Sequence, residues 1–133
     1  MVALASFALD NADPAAVKAT LAAMRGKRRE AQPSGIKTFG STFKNPDADA
    51  PGVDGRTAGL LLAQAGAQEI EIGGARLSPK HANFVENTGS ATTADVLAVM
   101  AAARHRVHDR FGVELEPEVQ VLGEVQWPED WEL

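Results

Sequence analysis

Cysteine and tyrosine are absent from the 133 residues, only 5% are aromatic, and basic side chains are outnumbered, with 13 Lys and Arg against 18 Asp and Glu. Without cysteine there is no disulfide framework, no cysteine-based zinc site and no thiol nucleophile. A formal charge of −5 and the lack of a long basic run argue against a dedicated nucleic-acid binder, which has to neutralise phosphates. A small, local anion site stays open. No stretch approaches the roughly 18 consecutive apolar residues that a membrane span needs, and the run from Ala58 to Ala63 contains Gly59. Met1 to Leu9 is apolar but has no basic n-region and leads into Asp10, Asn11 and Asp13, so no signal peptide is expected and the cytoplasm is the default location. There is no internal repeat, no G-x-G-x-x-G and no P-loop.

What remains is an ordinary globular composition, 44% hydrophobic and 23% charged, long enough to bury roughly two thirds of its unfolded surface in one domain. Val2 to Leu9 reads as a β-prone segment ending in a turn. Asp13 as cap and Pro14 at the first helical position start a helix in which Val17, Leu21 and Met24 recur as one buried face. Its last turn, Lys27-Arg28-Arg29, complements the helix dipole. Gln32 to Asp54 is a long Gly/Pro/Asn/Asp-rich loop around one strand, Ile36 to Phe43. Loops of that length inside a domain are usually functional or disordered. A short helix fits Thr57 to Ala65, ended by Gly66. Glu69 to Ile72 and Ala75 to Ser78 flank the Gly73-Gly74 pair as a hairpin, and Asn83 to Glu86 is a further strand. Thr92 and Asp95 form a capping box for the strongest helix, with Val96, Met100, Ala103, Val107 and Phe111 as its stripe and Gly112 as its end. Val113 to Val121 alternates as a half-buried strand with Glu114, Glu116 and Glu118 on its polar face. Gly123 to Leu133, with Trp127 and Trp131, reads as an irregular tail. The mix has no strand-helix rhythm, so the expected fold class is α+β, with mixed or antiparallel strands packed against two to three helices.

The most unusual segment is Phe39-Gly40-Ser41-Thr42-Phe43-Lys44-Asn45-Pro46. It sets a hydroxyl, an ammonium and a carboxamide within five residues between two aromatics. Ser41 can serve there as a proton donor, provided a cation such as Lys44 stabilises the alkoxide left behind; taken by itself the segment reads more readily as a turn with a satisfied serine. His81, in the polar loop Ser78-Pro79-Lys80-His81, is either a ligand contact or a plain loop residue. The three glutamates make a solvated surface if they face water, or a proton-transfer site if a ligand or domain covers them. His105 and His108 share a helix face but lack a third ligand.

Taken in order, Arg28-Arg29, Gln32-Pro33, Gly40-Ser41-Thr42-Phe43-Lys44-Asn45-Pro46, Ala58-Gly59-Leu60-Leu61, Ile72-Gly73-Gly74-Ala75, Lys80-His81-Ala82-Asn83-Phe84 and Leu115-Glu116-Pro117-Glu118-Val119 resemble the C-terminal part of the UDP-N-acetylenolpyruvoylglucosamine reductases, the MurB family. The resemblance runs from about Phe7 to Glu124, implying a substrate-binding domain over 1–124 and a tail over 125–133. It implies a cytoplasmic flavoprotein of peptidoglycan precursor synthesis, in which NADPH reduces FAD and hydride passes to the enolpyruvyl UDP-sugar. By the same resemblance Ser41 is the proton donor and Glu118 polarises the substrate carboxylate and stabilises the enol. Arg28, Lys44, Asn45 and His81 are implied as substrate contacts. The family's FAD-binding domain is not found in this chain, so FAD and NADPH are implied for the complete enzyme and are not expected on this part, which alone should be inactive. A free-standing UDP-sugar binding or interaction module is the alternative.

Overall fold

Asp13 accepts the backbone N–H groups of Ala15 (3.4 Å) and Ala16 (3.1 Å), and helix α1 follows as Pro14–Ala31. A computed structural model describes residues 3–132, which form two compact units, Met1–Ala31 and Gln32–Leu133. In the first unit the cap and the basic last turn of Arg28 and Arg29 are as expected. The packing is not: α1 has no buried residue, and Val17, Leu21 and Met24 are 44%, 48% and 61% exposed. Within its own unit the stripe meets no buried partner, since residues 3–13 are themselves exposed. That segment forms no strand either. Val2, where the expected strand begins, lies outside the described residues.

The second unit is built on a four-stranded antiparallel sheet of order β1-β4-β3-β2, comprising β1 (Lys37–Ser41), β2 (Glu71–Ile72), β3 (Ala75–Leu77) and β4 (Phe84–Asn87). Gly73 and Gly74 close the β2–β3 hairpin as a two-residue turn between Ile72 and Ala75. Helix α2 (Ala58–Gln64) is capped by the Thr57 side chain, which accepts the Leu60 N–H, and a single 3-10 turn, Ala67–Glu69, follows. Helix α3 (Thr93–Phe111) carries the full capping box of Thr92 and Asp95 and ends at Gly112 in the left-handed conformation. The N–H and hydroxyl of Thr92, with the Gly74 N–H, hold the Asp95 carboxyl below its usual range against an opposing desolvation effect.

Leu77 and Val85 of the sheet meet Leu61 and Leu62 of α2 and Met100 and Val107 of α3 in one core, all nearly or fully buried. The architecture is therefore α+β, as the sequence suggests. No helix among the described residues is long and apolar enough to cross a membrane.

Val113 to Val121 departs from expectation. Val113 and Leu115 are buried, Val119 is half-buried and Glu114, Glu116 and Glu118 are exposed, so the alternation holds as far as Val119, but Val121 is exposed. The pairing, however, reduces to one bridge, Phe43↔Pro117, flanked by the bonds Lys44 N–H to Glu116 C=O and Glu118 N–H to Thr42 C=O, both 2.9 Å. In that pattern the backbone of Pro117 faces away from Phe43, so its missing N–H costs this bridge nothing and suits an outer edge. Beyond it, residues 119–132 have no helix or strand, but the tail packs back. The guanidinium of Arg104 lies 4.4 Å from the Trp131 ring centre and bonds the Trp131 carbonyl.

Candidate active site

Glycine sets up the position of Ser41. Thr38 pairs with Glu86 but Ser41 pairs with Phe84, so β1 carries one extra residue at Phe39-Gly40, with Gly40 at φ +92°. Such a bulge needs a residue free of the Cβ penalty and re-aims the side chains that follow. Ser41, half-buried, stands at the end of β1 directly after it.

Beyond Ser41, Thr42 and Phe43 are fully buried between two partners. On one side the Thr42 N–H bonds the Asn83 carbonyl at 2.8 Å. There the Asn83 carboxamide also accepts the Phe43 N–H at 2.9 Å and donates to the Phe43 carbonyl at 2.8 Å. On the other side Glu118 donates its N–H to the Thr42 carbonyl. Glu118, 77 positions from Ser41, is thus bonded through its backbone to the residue after it, and the Lys44 N–H bonds the Glu116 carbonyl. Lys44 Nζ lies 3.0 Å from Glu116 Oε2, with both side chains more than half exposed. An exposed pair of this kind stabilises by at most about 1 kcal/mol. A cleft of about 540 Å³ opens beside it, lined by Lys44, Asn45, Asp47, Val53, Glu114 and Glu116.

Asn45 also has a structural partner: its Oδ1 accepts the Ala58 N–H at the start of α2 (3.0 Å). His81 accepts the Asn83 N–H on Nδ1 at 3.2 Å, which assigns the neutral ring's proton to Nε2, and packs edge-on against Phe84 with centroids 4.8 Å apart. It borders a cleft of about 360 Å³ with Thr57, Gly59, Gln68 and Lys80. Arg28 lies in the last turn of α1, in the Met1–Ala31 unit. The glutamates do not form an unbroken acidic face, because Glu114 pairs with Arg104 (2.9 Å) and Glu116 with Lys44.

Three features escape a reading by motif. Asn83 stands in a quoted motif but reveals its clamp only in the fold. Among the described residues Thr42 Oγ1 is buried without a hydrogen-bond partner. The 47–55 loop is anchored by Arg56, whose guanidinium bonds the carbonyls of Val53 (2.9 Å) and Gly52 (2.6 Å) and lies 4.4 Å from the Phe111 ring centre. An arginine inside a Gly/Pro/Asp loop was the available signal.

A flavin or nicotinamide dinucleotide calls for glycines that let a pyrophosphate approach the backbone. The glycines of this chain where a Cβ would collide are taken up by the chain itself. A Cβ on Gly73 would lie 2.4 Å from the Asp95 carboxylate, one on Gly74 2.3 Å from the Ala91 nitrogen, and one on Gly52 2.1 Å from the Phe111 carbonyl oxygen. Those three glycines serve helix-on-hairpin and loop-on-helix packing.

Known proteins carry the same pattern. Residues 32–122 match the model of the family described as UDP-N-acetylenolpyruvoylglucosamine reductase, C-terminal domain, and that match begins where the second unit begins. The UDP-N-acetylenolpyruvoylglucosamine reductase of Anaeromyxobacter dehalogenans (strain 2CP-C) is 45% identical over 124 residues, covering 93% of this chain and 36% of that protein. The one from Nitrosospira multiformis is 41% identical over 123 residues, covering 92% and 33%. The crystal structure of UDP-N-acetylenolpyruvylglucosamine reductase (MurB) from Thermus caldophilus superposes with a TM-score of 0.62 at 31% identity, covering 86% of this chain and 35% of that one. The chain spans about a third of the length of the curated relatives it matches. With the fold, the family match and these identities in agreement, the chain belongs to the family of UDP-N-acetylenolpyruvoylglucosamine reductase C-terminal domains.

Proposed function

We propose that this chain is the substrate-binding and proton-donating part of a reductase that converts the enolpyruvyl UDP-sugar to UDP-N-acetylmuramate. Adding hydride to a carbon–carbon double bond beside a carboxylate leaves negative charge on the neighbouring carbon, which a positioned acid must quench. FAD, reduced by NADPH and held by the part of the protein outside this chain, supplies the hydride when bound. The roles of this chain's residues follow from what each side chain offers. Ser41 gives its hydroxyl proton to the substrate carbon, and Glu118 polarises the substrate carboxylate. Lys44 supplies positive charge near the alkoxide left on Ser41 and, with Arg28, near the diphosphate, for which cationic donors are the natural partners. Asn45 and His81 contribute hydrogen bonds to the nucleotide sugar.

The observation that supports this reading is the backbone hydrogen bond from Glu118 to Thr42, the residue after Ser41. The free-standing UDP-sugar module is set aside, because relatives matched over nine-tenths of the chain are named as reductases. Ser41→Ala in the full-length protein tests the reading by stopped-flow absorbance. Flavin reduction by NADPH should be unchanged, while reoxidation by the enolpyruvyl UDP-sugar slows by about 100-fold or more, the usual effect of removing a general acid. Equal slowing of both half-reactions would refute the role of Ser41.

A further inference from the structure

The β1–β4 ladder stops at Ser41↔Phe84, yet the next two residues are held as if the strand continued. Thr42 bonds the Asn83 backbone. One residue later the partner changes from main chain to side chain, and the Asn83 carboxamide takes both the N–H and the C=O of Phe43. A carboxamide offers an acceptor and a donor side by side, so it can stand in for a peptide group of a neighbouring strand. Asn83 is 4% exposed, and in such a setting unmet hydrogen bonds are costly and the geometry is held firmly. Its own N–H meets Nδ1 of His81, so one residue contacts the backbone that follows Ser41 and the ring of His81.

We infer that Asn83 is a positioning residue for proton donation: it fixes the chain on the C-terminal side of Ser41 and orients His81 relative to it, without touching the substrate. This rests on the reading of Ser41 as the acid. The Gly40 bulge aims Ser41 from its N-terminal side, and Asn83 completes the constraint from the other. Loss of the clamp lets the serine oxygen drift, and displacement of a reacting group by about 1 Å is enough to slow a step by about 100-fold.

The test uses Asn83→Ala and Asn83→Ser in the full-length protein, with both half-reactions followed by stopped flow. Flavin reduction by NADPH should match the unsubstituted protein. Reoxidation by the enolpyruvyl UDP-sugar should slow by about 10- to 100-fold in Asn83→Ala, with Asn83→Ser, whose hydroxyl can keep one bond to Phe43, falling between. The solvent deuterium isotope effect on reoxidation should rise in both variants as proton delivery becomes more limiting. A loss shared by both half-reactions with an unchanged isotope effect would overturn the inference, leaving Asn83 as scaffold, and so would failure of both variants to fold. Ser41→Ala run alongside separates the two ideas. If it fails to slow reoxidation, the functional reading falls; if it slows reoxidation and the Asn83 variants do not, only the positioning role falls.

Discussion

Gly52 and Gly55 have nearly the same left-handed backbone, φ +79° and +70°, but opposite surroundings, and alanine at each should separate two physical costs. A Cβ on Gly55 meets nothing within 4 Å, whereas one on Gly52 would sit 2.1 Å from the Phe111 carbonyl oxygen and 3.1 Å from Val113 Cγ2. Left-handed backbone costs a non-glycine residue about 1–2 kcal/mol, and that is the whole expected effect of Gly55→Ala. At Gly52 the loop must also retreat, because the Phe111 carbonyl belongs to the last turn of α3. The retreat strains the bond from Arg56 to the Gly52 carbonyl and partly exposes Val53, which is 1% exposed. Full burial of a valine stabilises by about 1.5–3 kcal/mol, so losing half of it brings Gly52→Ala to about 3 kcal/mol, roughly twice the Gly55→Ala cost. Urea unfolding followed by tryptophan fluorescence measures this cleanly, since Trp127 and Trp131 are the only tryptophans and both lie in the Gln32–Leu133 unit. Equal destabilisation by the two substitutions would refute the claim that the 47–55 loop is seated by close approach at Gly52.

Two further outcomes follow from single buried or paired groups. Thr42→Val removes a buried hydroxyl that has no partner among the described residues at nearly constant volume, so stability should stay level or rise by about 1 kcal/mol, and a clear loss would mean that the hydroxyl is satisfied. For Asp95, whose carboxyl is held low chiefly by the Thr92 N–H and hydroxyl, the folded chain takes up the proton less readily than the unfolded one. Its contribution is therefore complete above the ordinary carboxylate pKa of about 4 and is lost as pH falls through the lower folded value. Asp95→Asn should be less stable than the native chain at neutral pH, with the gap in urea midpoint closing below about pH 4; a gap that does not change with pH would refute the assignment.

Local signals were legible wherever the chain carries its own punctuation. Asp13-Pro14, Thr92 with Asp95, and Gly112 mark helix ends because their side chains, or the lack of one, meet the backbone groups that helices leave unpaired, and all three act as read. The Gly73-Gly74 hairpin is of the same kind. Periodicity succeeded for α3, where Met100, Ala103 and Val107 are buried, and failed for α1, because a stripe states what a helix offers and not whether anything covers it. Alternation from Val113 to Val121 predicted the burial of Val113 and Leu115 but neither the exposure of Val121 nor the pairing, which is a single bridge at Phe43↔Pro117.

The candidate site divides along the same line. Its chemical inventory, a serine, a lysine, an asparagine, a histidine and a glutamate in recognisable motifs, was determined by the sequence alone, because hydroxyls, ammonium groups and carboxylates carry their reactivity with them. Their arrangement was decided only by the tertiary structure: Ser41 re-aimed by a bulge at Gly40, Glu118 paired to Thr42, Lys44 matched with Glu116, and Asn83 reaching from the end of β4 to Phe43. The last three of those contacts join residues 40 or more positions apart, and no local propensity encodes a partner at that distance. It is the shared core beneath the sheet that brings them together.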